Sequence, residues 1–361
     1  MRTLAWSRLA PALAMDIPSV FSDLEPLPQD EGEEPVVRIA YPPGFETAMS
    51  YFRRVLVNGE YSERTLQLTG EVIGHNAANY TAWLFRRRCL TELYGRSAAE
   101  GNLAAWQSEL AYTTEMIDRN MKNYQVWHHR RAVVEALNDG SQELAFVRQV
   151  FIDGGDAKNY HAWGHRQWVL RTFGGWEAEL DYVEELLQQD LRNNSAWNQR
   201  FYVLQHTAVL KELDAMRAEV AYALRYIEAA PNNPSPWHFL KGVAEPLGLA
   251  QFPEIRQACE RLAGASESGG GEEPAAGACT HALSMLLDIL SEEGASTTSR
   301  ATALCRRALG PQCRPPPARP HLGSATEMIP PLHGRRQLKE LDPIRAPYWQ
   351  WRLERLAPAV A

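Results

Sequence analysis

Apolar residues in the middle of the chain recur every three or four positions, which is the spacing of one face of an α-helix. Residues 144–151 show this pattern with Leu, Val and Phe, and residues 176–187 repeat it with Trp, Leu and Val. Glycine-containing segments at 138–140 and 173–175 separate these stretches and predict turns. Since no alternation of comparable strength indicates β-strands, the pattern predicts short helices joined by turns.

A motif of the form Asn-x-x-small-Trp-x-x-Arg accompanies this pattern and recurs along the chain. Its five copies occupy residues 79–86, 123–130, 159–166, 193–200 and 233–240. The last copy departs from the motif, because Leu240 stands where arginine is expected. Successive tryptophans lie 34 to 44 residues apart, and such a period indicates a repeat architecture.

Each position of the motif has a physical reason. Asparagine is a strong helix N-cap because its side-chain oxygen accepts from an unpaired backbone N–H of the first turn. In the fifth copy Pro234 follows the cap, where its missing N–H costs little. The tryptophan falls four residues after the cap and the arginine three residues later, so both lie on one helical face. We expect tryptophan to fill the gap between stacked hairpins, and arginine to stack on it or to reach a carboxylate.

A second helix is predicted between successive copies, and Ser141 is expected to cap one of these helices. Each repeat is therefore a helical hairpin with one apolar side. Such hairpins bury that side only by stacking on their neighbours. The predicted fold class is all-α, a right-handed α-α superhelix (solenoid) of helical hairpin repeats.

The two ends of the chain differ from the repeats in composition. The N-terminal region is acidic and rich in proline, and glycine- or proline-rich stretches interrupt the C-terminal third. Residues 1–15 are interpreted as an extension, with a targeting role and an alternative start at Met15 both left open. The rest is predicted to comprise an extended arm at 16–50 and a repeat domain at 51–361, with a degenerate copy near 345–352 and loop insertions at about 262–276 and 311–332.

Composition excludes several classes of protein. A net charge of −7 and a pI of about 5.9 argue against a general nucleic-acid binder, which needs a basic face. Five widely spaced cysteines without a CxxC motif indicate free thiols in a reducing compartment, so a cytoplasmic location is expected. No apolar run approaches the roughly 20 residues of a membrane helix, so the chain is not expected to be membrane-embedded.

The motifs resemble those of one known family, the protein prenyltransferase α-subunit repeat family. Residues 122–131, Lys-Asn-Tyr-Gln-Val-Trp-His-His-Arg-Arg, are similar to the second repeat of its farnesyltransferase/geranylgeranyltransferase type I branch. Residues 156–163 and 192–200 are similar to the third and fourth repeats. The resemblance covers about residues 23–245, weakens beyond them and returns faintly at 342–349.

The resemblance implies the α subunit shared by heterodimeric protein farnesyltransferase and geranylgeranyltransferase type I. Such a subunit is active only with a β subunit of either enzyme, which carries the zinc ion and most of the isoprenoid pocket. The implied reaction transfers a farnesyl or geranylgeranyl group from its diphosphate to the cysteine of a C-terminal CaaX motif, as on small GTPases. Magnesium with the diphosphate is left open, and this chain itself is expected to bind no metal.

Three residues of the second repeat match family positions at the active site. Lys122 matches the lysine that approaches the isoprenoid diphosphate, where its charge would stabilise the leaving group. Gln125 matches the glutamine that binds the C-terminal carboxylate of the target peptide, and its amide N–H₂ suits that acceptor. Tyr124 matches a residue near the same site, although packing within the hairpin would also account for it.

The third repeat offers an equivalent group in Lys158, Asn159, Tyr160 and His161. The resemblance implies that Tyr160 and His161 line the diphosphate side of the cleft, so with Lys122 they form the expected catalytic group. Lys158 and Asn159 complete the expected substrate-binding group. Helix capping alone would be sufficient reason for Asn159.

His161 and His165 are spaced like a pair of zinc ligands, four residues apart on one helix face. The residue after His161 is Ala162 rather than the glutamate of an HExxH motif, and no third ligand stands out. We therefore do not expect them to bind a metal. His128 and His129 are likewise interpreted as packing or interface residues.

Two alternatives to the favoured function stay open. The α subunit of Rab geranylgeranyltransferase shares the fold and the repeat, but Gln125 would not be expected there. A non-enzymatic helical scaffold that binds peptide segments is the second alternative. The variable repeat period and the Trp-x-x-Arg pattern argue against it, because generic tetratricopeptide repeats keep a period near 34 residues.

Overall fold

The computed structural model describes residues 15–37, 39–264, 279–294, 297–309 and 346–356. Within these ranges the regular secondary structure is helical, and no β-strand occurs. The α-helices are α1 (Ile17–Val20), α2 (Pro43–Asn58), α3 (Glu63–His75), α4 (Tyr80–Tyr94), α5 (Leu103–Arg119), α6 (Tyr124–Leu137), α7 (Glu143–Asp153), α8 (Tyr160–Phe173), α9 (Glu179–Gln189), α10 (Asn194–His206), α11 (Leu213–Ala229), α12 (Pro234–Ala244), α13 (Pro253–Ala263), α14 (Thr280–Glu292), α15 (Thr298–Leu309) and α16 (Ala346–Leu356). None of the helices in the described ranges combines the length and the apolar character needed to cross a membrane.

Consecutive helices pair as hairpins within two compact units, one ending at Trp176 and the other beginning at Glu177. In the first unit α3 packs on α4, α5 on α6 and α7 on α8. In the second unit α9 packs on α10, α11 on α12, α13 on α14 and α15 on α16. The second helices of successive hairpins also meet, α4 with α6 and α6 with α8 in the first unit, and α10 with α12 in the second. The predicted all-α fold of helical hairpin repeats is confirmed.

The asparagine of each motif copy caps a helix, as the sequence predicts. Its side-chain oxygen accepts from a backbone N–H two or three residues later, at Asn79, Asn123, Asn159, Asn193 and Asn233. The cap can also donate from Nδ2 to the previous repeat. Asn159 donates to the Met121 carbonyl at 3.4 Å, and Asn233 to the Leu191 carbonyl at 2.8 Å. The cap therefore also joins one hairpin to the next.

The motif tryptophan fills the core and closes the turn before its own helix. All five indoles are buried, at Trp83, Trp127, Trp163, Trp197 and Trp237. Each Nε1–H donates to the carbonyl six residues earlier, at 2.8 to 3.0 Å. Since that carbonyl lies in the turn ahead of the cap, one side chain satisfies a buried polar group while it packs the interior.

The motif arginine reaches a buried carboxylate. Two guanidinium nitrogens bond the two carboxylate oxygens at 2.7 to 2.8 Å in the pairs Arg86–Glu109, Arg130–Glu143 and Arg200–Glu219. Each guanidinium also lies over a ring three residues after its glutamate, at 3.4 to 4.2 Å from the centroid of Tyr112, Phe146 or Tyr222. The glutamate and the ring share one helix face. The expected carboxylate is thus confirmed, and the stacked ring belongs to the next helix rather than to the motif tryptophan.

Two of these glutamates also join successive repeats. Glu109 is 2.6 Å from His129 Nε2, and Glu143 is 2.7 Å from His165 Nε2. Burial lowers the pKa of both histidines, so each stays neutral near pH 7 and donates Nε2–H. Burial would raise the pKa of both carboxyls, but the arginine and histidine partners outweigh it and hold that pKa at about 2.

The N-terminal arm is bonded to the first hairpins. Arg64 binds the Asp23 carboxylate at 2.6 Å, and Arg53 and Arg54 donate to backbone carbonyls of Leu27 and Glu25. The insertion at 311–332 lies outside the described residues, as do all but the last residue of the predicted extension at 1–15 and most of the insertion at 262–276.

The degenerate copy near 345–352 repeats the roles of the motif residues in its described part. Trp349 of α16 is fully buried. Arg352, three residues later, bonds the Asp288 carboxylate at 2.7 Å. A buried tryptophan followed by an arginine on a carboxylate is the arrangement that the complete copies show.

Candidate functional site

The candidate residues gather where α6 and α8 begin. These helices follow the caps Asn123 and Asn159, and the Nδ2 bond from Asn159 to the Met121 carbonyl holds the two beginnings side by side. Each helix has 14 residues, and its N-terminus carries unpaired N–H groups and a partial positive charge. Two adjacent N-termini favour an anion nearby.

Lys122 presents its ammonium group at this edge. Its side chain is 77% exposed, and Nζ lies 3.2 Å from Asp156 Oδ2. The other oxygen of Asp156 accepts the backbone N–H of Lys158 at 3.2 Å, which fixes the carboxylate in the turn before α8. Lys122 of the second repeat therefore pairs with Asp156 of the third repeat, and most of its side-chain surface stays accessible to a ligand.

The backbone just before Lys122 is held by two side chains. The Met121 carbonyl accepts from Trp127 Nε1 at 2.8 Å and from Asn159 Nδ2 at 3.4 Å. Partial burial lowers the pKa of His161, and the nearby Lys122 carbonyl, which favours the protonated imidazole, offsets this effect only in part. The backbone beside the lysine is thus held by hydrogen bonds, while the lysine side chain is exposed.

Three rings form an exposed aromatic group beside Lys122. Tyr124 and Tyr160 are 66% and 72% exposed, which is unusual for large aromatic side chains. The His161 ring meets Tyr124 edge-on at 4.2 Å between centroids, and Tyr160 lies 5.6 Å from His161 and 6.3 Å from Tyr124. The structure therefore brings Lys122, Tyr124, Tyr160 and His161 together on one surface.

The remaining predicted residues lie at the same edge but differ in exposure and in the hydrogen bonds they already make. Gln125 is half-buried in the first turn of α6, and its backbone N–H donates to the Asn123 cap at 2.9 Å. Lys158 is exposed in the turn before α8. Asn159 is 2% exposed, and its two side-chain polar atoms already have backbone partners. Helix capping accounts for Asn159 at this position, and a contact between Asn159 and the substrate stays a prediction.

The spacing of His161 and His165 does not make a pair of ligands. His165 is buried on Glu143, whereas His161 faces Tyr124 and the Lys122 carbonyl. Within the described ranges, no cluster of three or more His, Cys, Asp or Glu side chains is arranged to hold a metal ion. The edge offers cations and hydrogen-bond donors, which suit an anionic group.

Sequence reasoning missed Asp156 as a member of the site. Its signal was present, because an aspartate two residues before Lys158 is the usual position for a side chain that accepts that N–H. The contact between Asp156 and Lys122 could not be predicted from the sequence, because it depends on how the third repeat stacks on the second.

A family model described as the protein prenyltransferase alpha subunit repeat matches four segments of the chain, residues 62–93, 106–137, 141–173 and 176–207. These segments contain the first four copies of the motif. The fifth copy lies outside them, although its asparagine and tryptophan keep the same contacts.

Two curated proteins are similar over most of their length. The chain is 39% identical to the protein farnesyltransferase/geranylgeranyltransferase type-1 subunit alpha of Arabidopsis thaliana, over 94% of this chain and 95% of that protein. It is 38% identical to the protein of the same name from Dictyostelium discoideum, over 76% and 81%. Among solved structures, a chain of the Candida albicans protein geranylgeranyltransferase-I complexed with GGPP matches with a TM-score of 0.73 and 23% identity, over 93% of this chain and 98% of that one. That likeness shows a shared fold.

Proposed function

This chain belongs to the protein prenyltransferase α-subunit family, and we propose that it acts as the α subunit shared by farnesyltransferase and geranylgeranyltransferase type I. The observation that carries the proposal is the exposed group of Lys122, Tyr124, Tyr160 and His161 beside two helix N-termini. The names of the Arabidopsis and Dictyostelium relatives, which cover both enzymes, support the choice of branch.

The proposed partner is a β subunit of either enzyme, and activity is expected only in the heterodimer. Exposed aromatic side chains at the N-terminal edge of the second helices support an interface there, namely Tyr80, Tyr124 and Tyr160. The β subunit would choose between farnesyl and geranylgeranyl diphosphate. The acceptors would be proteins that end in CaaX, such as small GTPases.

We assign the zinc ion that the family resemblance implies to the β subunit, and no residue of this chain is proposed as its ligand. Magnesium, where it takes part, is proposed to bind the diphosphate rather than this chain. The proposed location is the cytoplasm. Cys89, Cys259 and Cys305 are buried free thiols, which suits a reducing compartment.

In the proposed mechanism, this chain stabilises the leaving group. As the cysteine thiolate of the target, which has already lost its proton, bonds to C1 of the isoprenoid, the bond from C1 to the diphosphate oxygen breaks. The electron pair of that bond leaves with the diphosphate. Lys122 is placed to neutralise this charge, with Tyr160 and His161 as nearby donors, while Tyr124 and Gln125 contact the peptide end. The hydrogen-bonded backbone just before Lys122 limits the reorganisation needed during the reaction.

Co-expression with the farnesyltransferase β subunit of the same organism tests this proposal. We expect farnesyl transfer to a CaaX peptide that requires both chains, and a single-turnover rate about 100-fold lower in Lys122→Ala. Lys211→Ala is the matched control, because it removes an exposed lysine from a 3₁₀ turn far along the chain.

The outcomes separate the alternatives. An unchanged rate for Lys122→Ala in an intact heterodimer would contradict the assigned role. A stable complex without transfer would favour the Rab-type enzyme, and no complex with any β subunit would favour a peptide-binding scaffold.

A further inference from the structure

A cavity of about 310 Å³ lies in the first unit, near the C-terminal end of α6. Helix α6 begins at Tyr124, so this end is about 18 Å along the axis from the candidate site. Its lining comes from α4, α5, α6 and the loop between α4 and α5, and includes Arg87, Thr91, Arg96, Ser97, Trp106 and Val133. The volume is at the lower end of the range for small-molecule sites.

Two residues that line this cavity each carry a buried hydrogen-bond donor without a partner among the described residues. Trp106 is 4% exposed, and its Nε1 is buried without an acceptor among the residues that the structure describes. The same holds for Nη1 of Arg87. Native proteins pair nearly all such groups. The five motif indoles follow that rule, since each donates to a carbonyl, so the coincidence of two unpaired donors at one cavity requires a reason.

No carboxylate among the described residues balances the charge of Arg87. Burial lowers the pKa of its guanidinium, and no acidic group acts in the opposite direction. Glu135 lines the cavity, but its carboxylate bonds Arg131 at 2.8 Å on the surface of α6. Arg96 is exposed in the lining loop and adds a second positive charge. The neighbouring Arg86, by contrast, has both ends of its guanidinium fork on Glu109.

The wall formed by the loop is held in place. The N–H of Ala98 donates to the Ala136 carbonyl at 2.9 Å, which fixes the loop to the end of α6. The N–H of Asn102 donates to the Tyr94 carbonyl at 3.2 Å. A Cβ on Gly101 would lie 1.6 Å from that same carbonyl oxygen, so only glycine fits this close approach. The loop wall of the cavity is therefore held by backbone contacts of this chain.

We propose that this cavity binds a small oxyanion carried on a compact apolar body, with a phosphate monoester and a carboxylate as the two sources of that chemistry. The oxyanion accepts from Arg87 Nη1 and Trp106 Nε1, so one ligand satisfies both unpaired donors. The hydroxyls of Thr91 and Ser97 provide further polar lining. The apolar body packs against the Trp106 ring and Val133. This site does not depend on the proposed transferase function.

Fluorine NMR on the full-length chain labelled with 5-fluorotryptophan, with any subunit that co-purifies, tests the proposal. The Trp106 resonance is the one missing from Trp106→Phe. The probes are phenyl phosphate, benzoate and, as the neutral control, benzyl alcohol. We expect saturable shifts of the Trp106 resonance with at least one of the two anions at millimolar concentration, and none with benzyl alcohol. The stronger of the two anions identifies the source.

Matched arginine variants give the second readout. Arg87→Met should weaken anion binding about tenfold or more, because it removes a charge-assisted donor. Arg88→Met removes an equal charge from the next residue, which is exposed and does not line the cavity, and should leave binding unchanged. If Arg87→Met fails to fold, Arg87→Lys replaces it in the binding measurement, because it keeps the charge but changes the donor geometry.

Two results would overturn the proposal. The first is a Trp106 resonance that does not move with either anion. The second is an equal response to benzyl alcohol, which would mean an apolar cavity without anion recognition.

Discussion

His161 and His165 lie one turn apart on α8 and have different surroundings. His165 is 5% exposed and donates to Glu143, which Arg130 of the previous repeat also binds. His161 lies at the start of the helix, against the exposed Tyr124 ring and the Lys122 carbonyl. The residue type and the place on one helix face do not distinguish these two histidines, whereas their burial does.

The same difference between buried and edge residues recurs in the first unit. An inner row of arginine, glutamate and histidine bonds one hairpin to the next. An edge row of lysine, tyrosine and histidine at the beginnings of α6 and α8 contributes few buried contacts. Residues four positions apart in one repeat thus have different surroundings, and the proposed function assigns stability to one and substrate contact to the other. Substitutions in the two rows should therefore change different measurements.

The largest effect is expected at Arg130. Arg130→Met leaves Glu143 buried with His165 as its remaining side-chain partner, so the free energy of unfolding should fall by about 3–5 kcal/mol. Urea unfolding of the purified chain measures it. Arg131→Met is the control, because Arg131 is half exposed and pairs with Glu135 on the surface, where a salt bridge contributes about 0–1 kcal/mol. Equal losses in both variants would contradict the division.

Acid should weaken the inner row next. Glu109 and Glu143 have a pKa of about 2 in the folded chain and an ordinary value of 4.5, so their stabilisation is present above about pH 4.5 and is lost towards pH 2. His129 and His165 have lowered pKa values, so the unfolded chain also gains protons below about pH 6.5.

Both effects act in the same direction. The free energy of unfolding should decline below pH 6.5 and more steeply below pH 4.5, by about 1.4 kcal/mol per pH unit for each extra proton on the unfolded chain. Urea titrations between pH 7 and pH 3 measure this slope. A constant free energy across that range would show that the inner row carries no net electrostatic stabilisation.

The sequence predicted the contacts that stay within one repeat. The asparagine cap and the tryptophan are separated by four residues, so their geometry follows from the helix alone. The edge group was predicted from family resemblance, and the structure places its members together. Ser141 shows a local failure. Helix α7 begins at Glu143, and Ser141 instead donates its backbone N–H to Asp139.

Contacts between helices were harder to predict because the connections vary in length. The glutamates that bind Arg86, Arg130 and Arg200 lie 23, 13 and 19 residues later, so no fixed spacing reveals them. A usable signal is the aromatic residue three positions after each glutamate, which places both on one helix face.

The two histidines allow the most direct separation of the rows. His165→Asn should lower the free energy of unfolding by about 1–3 kcal/mol, because it removes a buried donor to Glu143. His161→Asn should change it by less than about 0.5 kcal/mol, since His161 lies at the exposed edge. In the heterodimer, His161→Asn should instead slow single-turnover transfer about tenfold. Urea unfolding and transfer assays on both variants check this, and a stability loss confined to His161→Asn would reverse the assignment.

The smallest effect is expected at Asp156, and it tests how the edge row is tuned. Asp156→Asn keeps an oxygen for the Lys158 N–H but removes the negative charge 3.2 Å from Lys122 Nζ. The isoprenoid diphosphate should then bind about threefold tighter, because an exposed charge pair of this kind contributes only about 0.2–1 kcal/mol. The gain should shrink at high salt.

Asp153→Asn removes an equal charge from the exposed end of α7 and serves as the control. Equilibrium binding of a fluorescent isoprenoid diphosphate to the heterodimer measures both variants. Weaker binding to Asp156→Asn would show that the carboxylate holds Lys122 in its working position rather than competing for it. Unchanged binding would mean that Lys122 already leaves Asp156 when the β subunit docks, because the ion pair would then be absent from the state that binds the substrate.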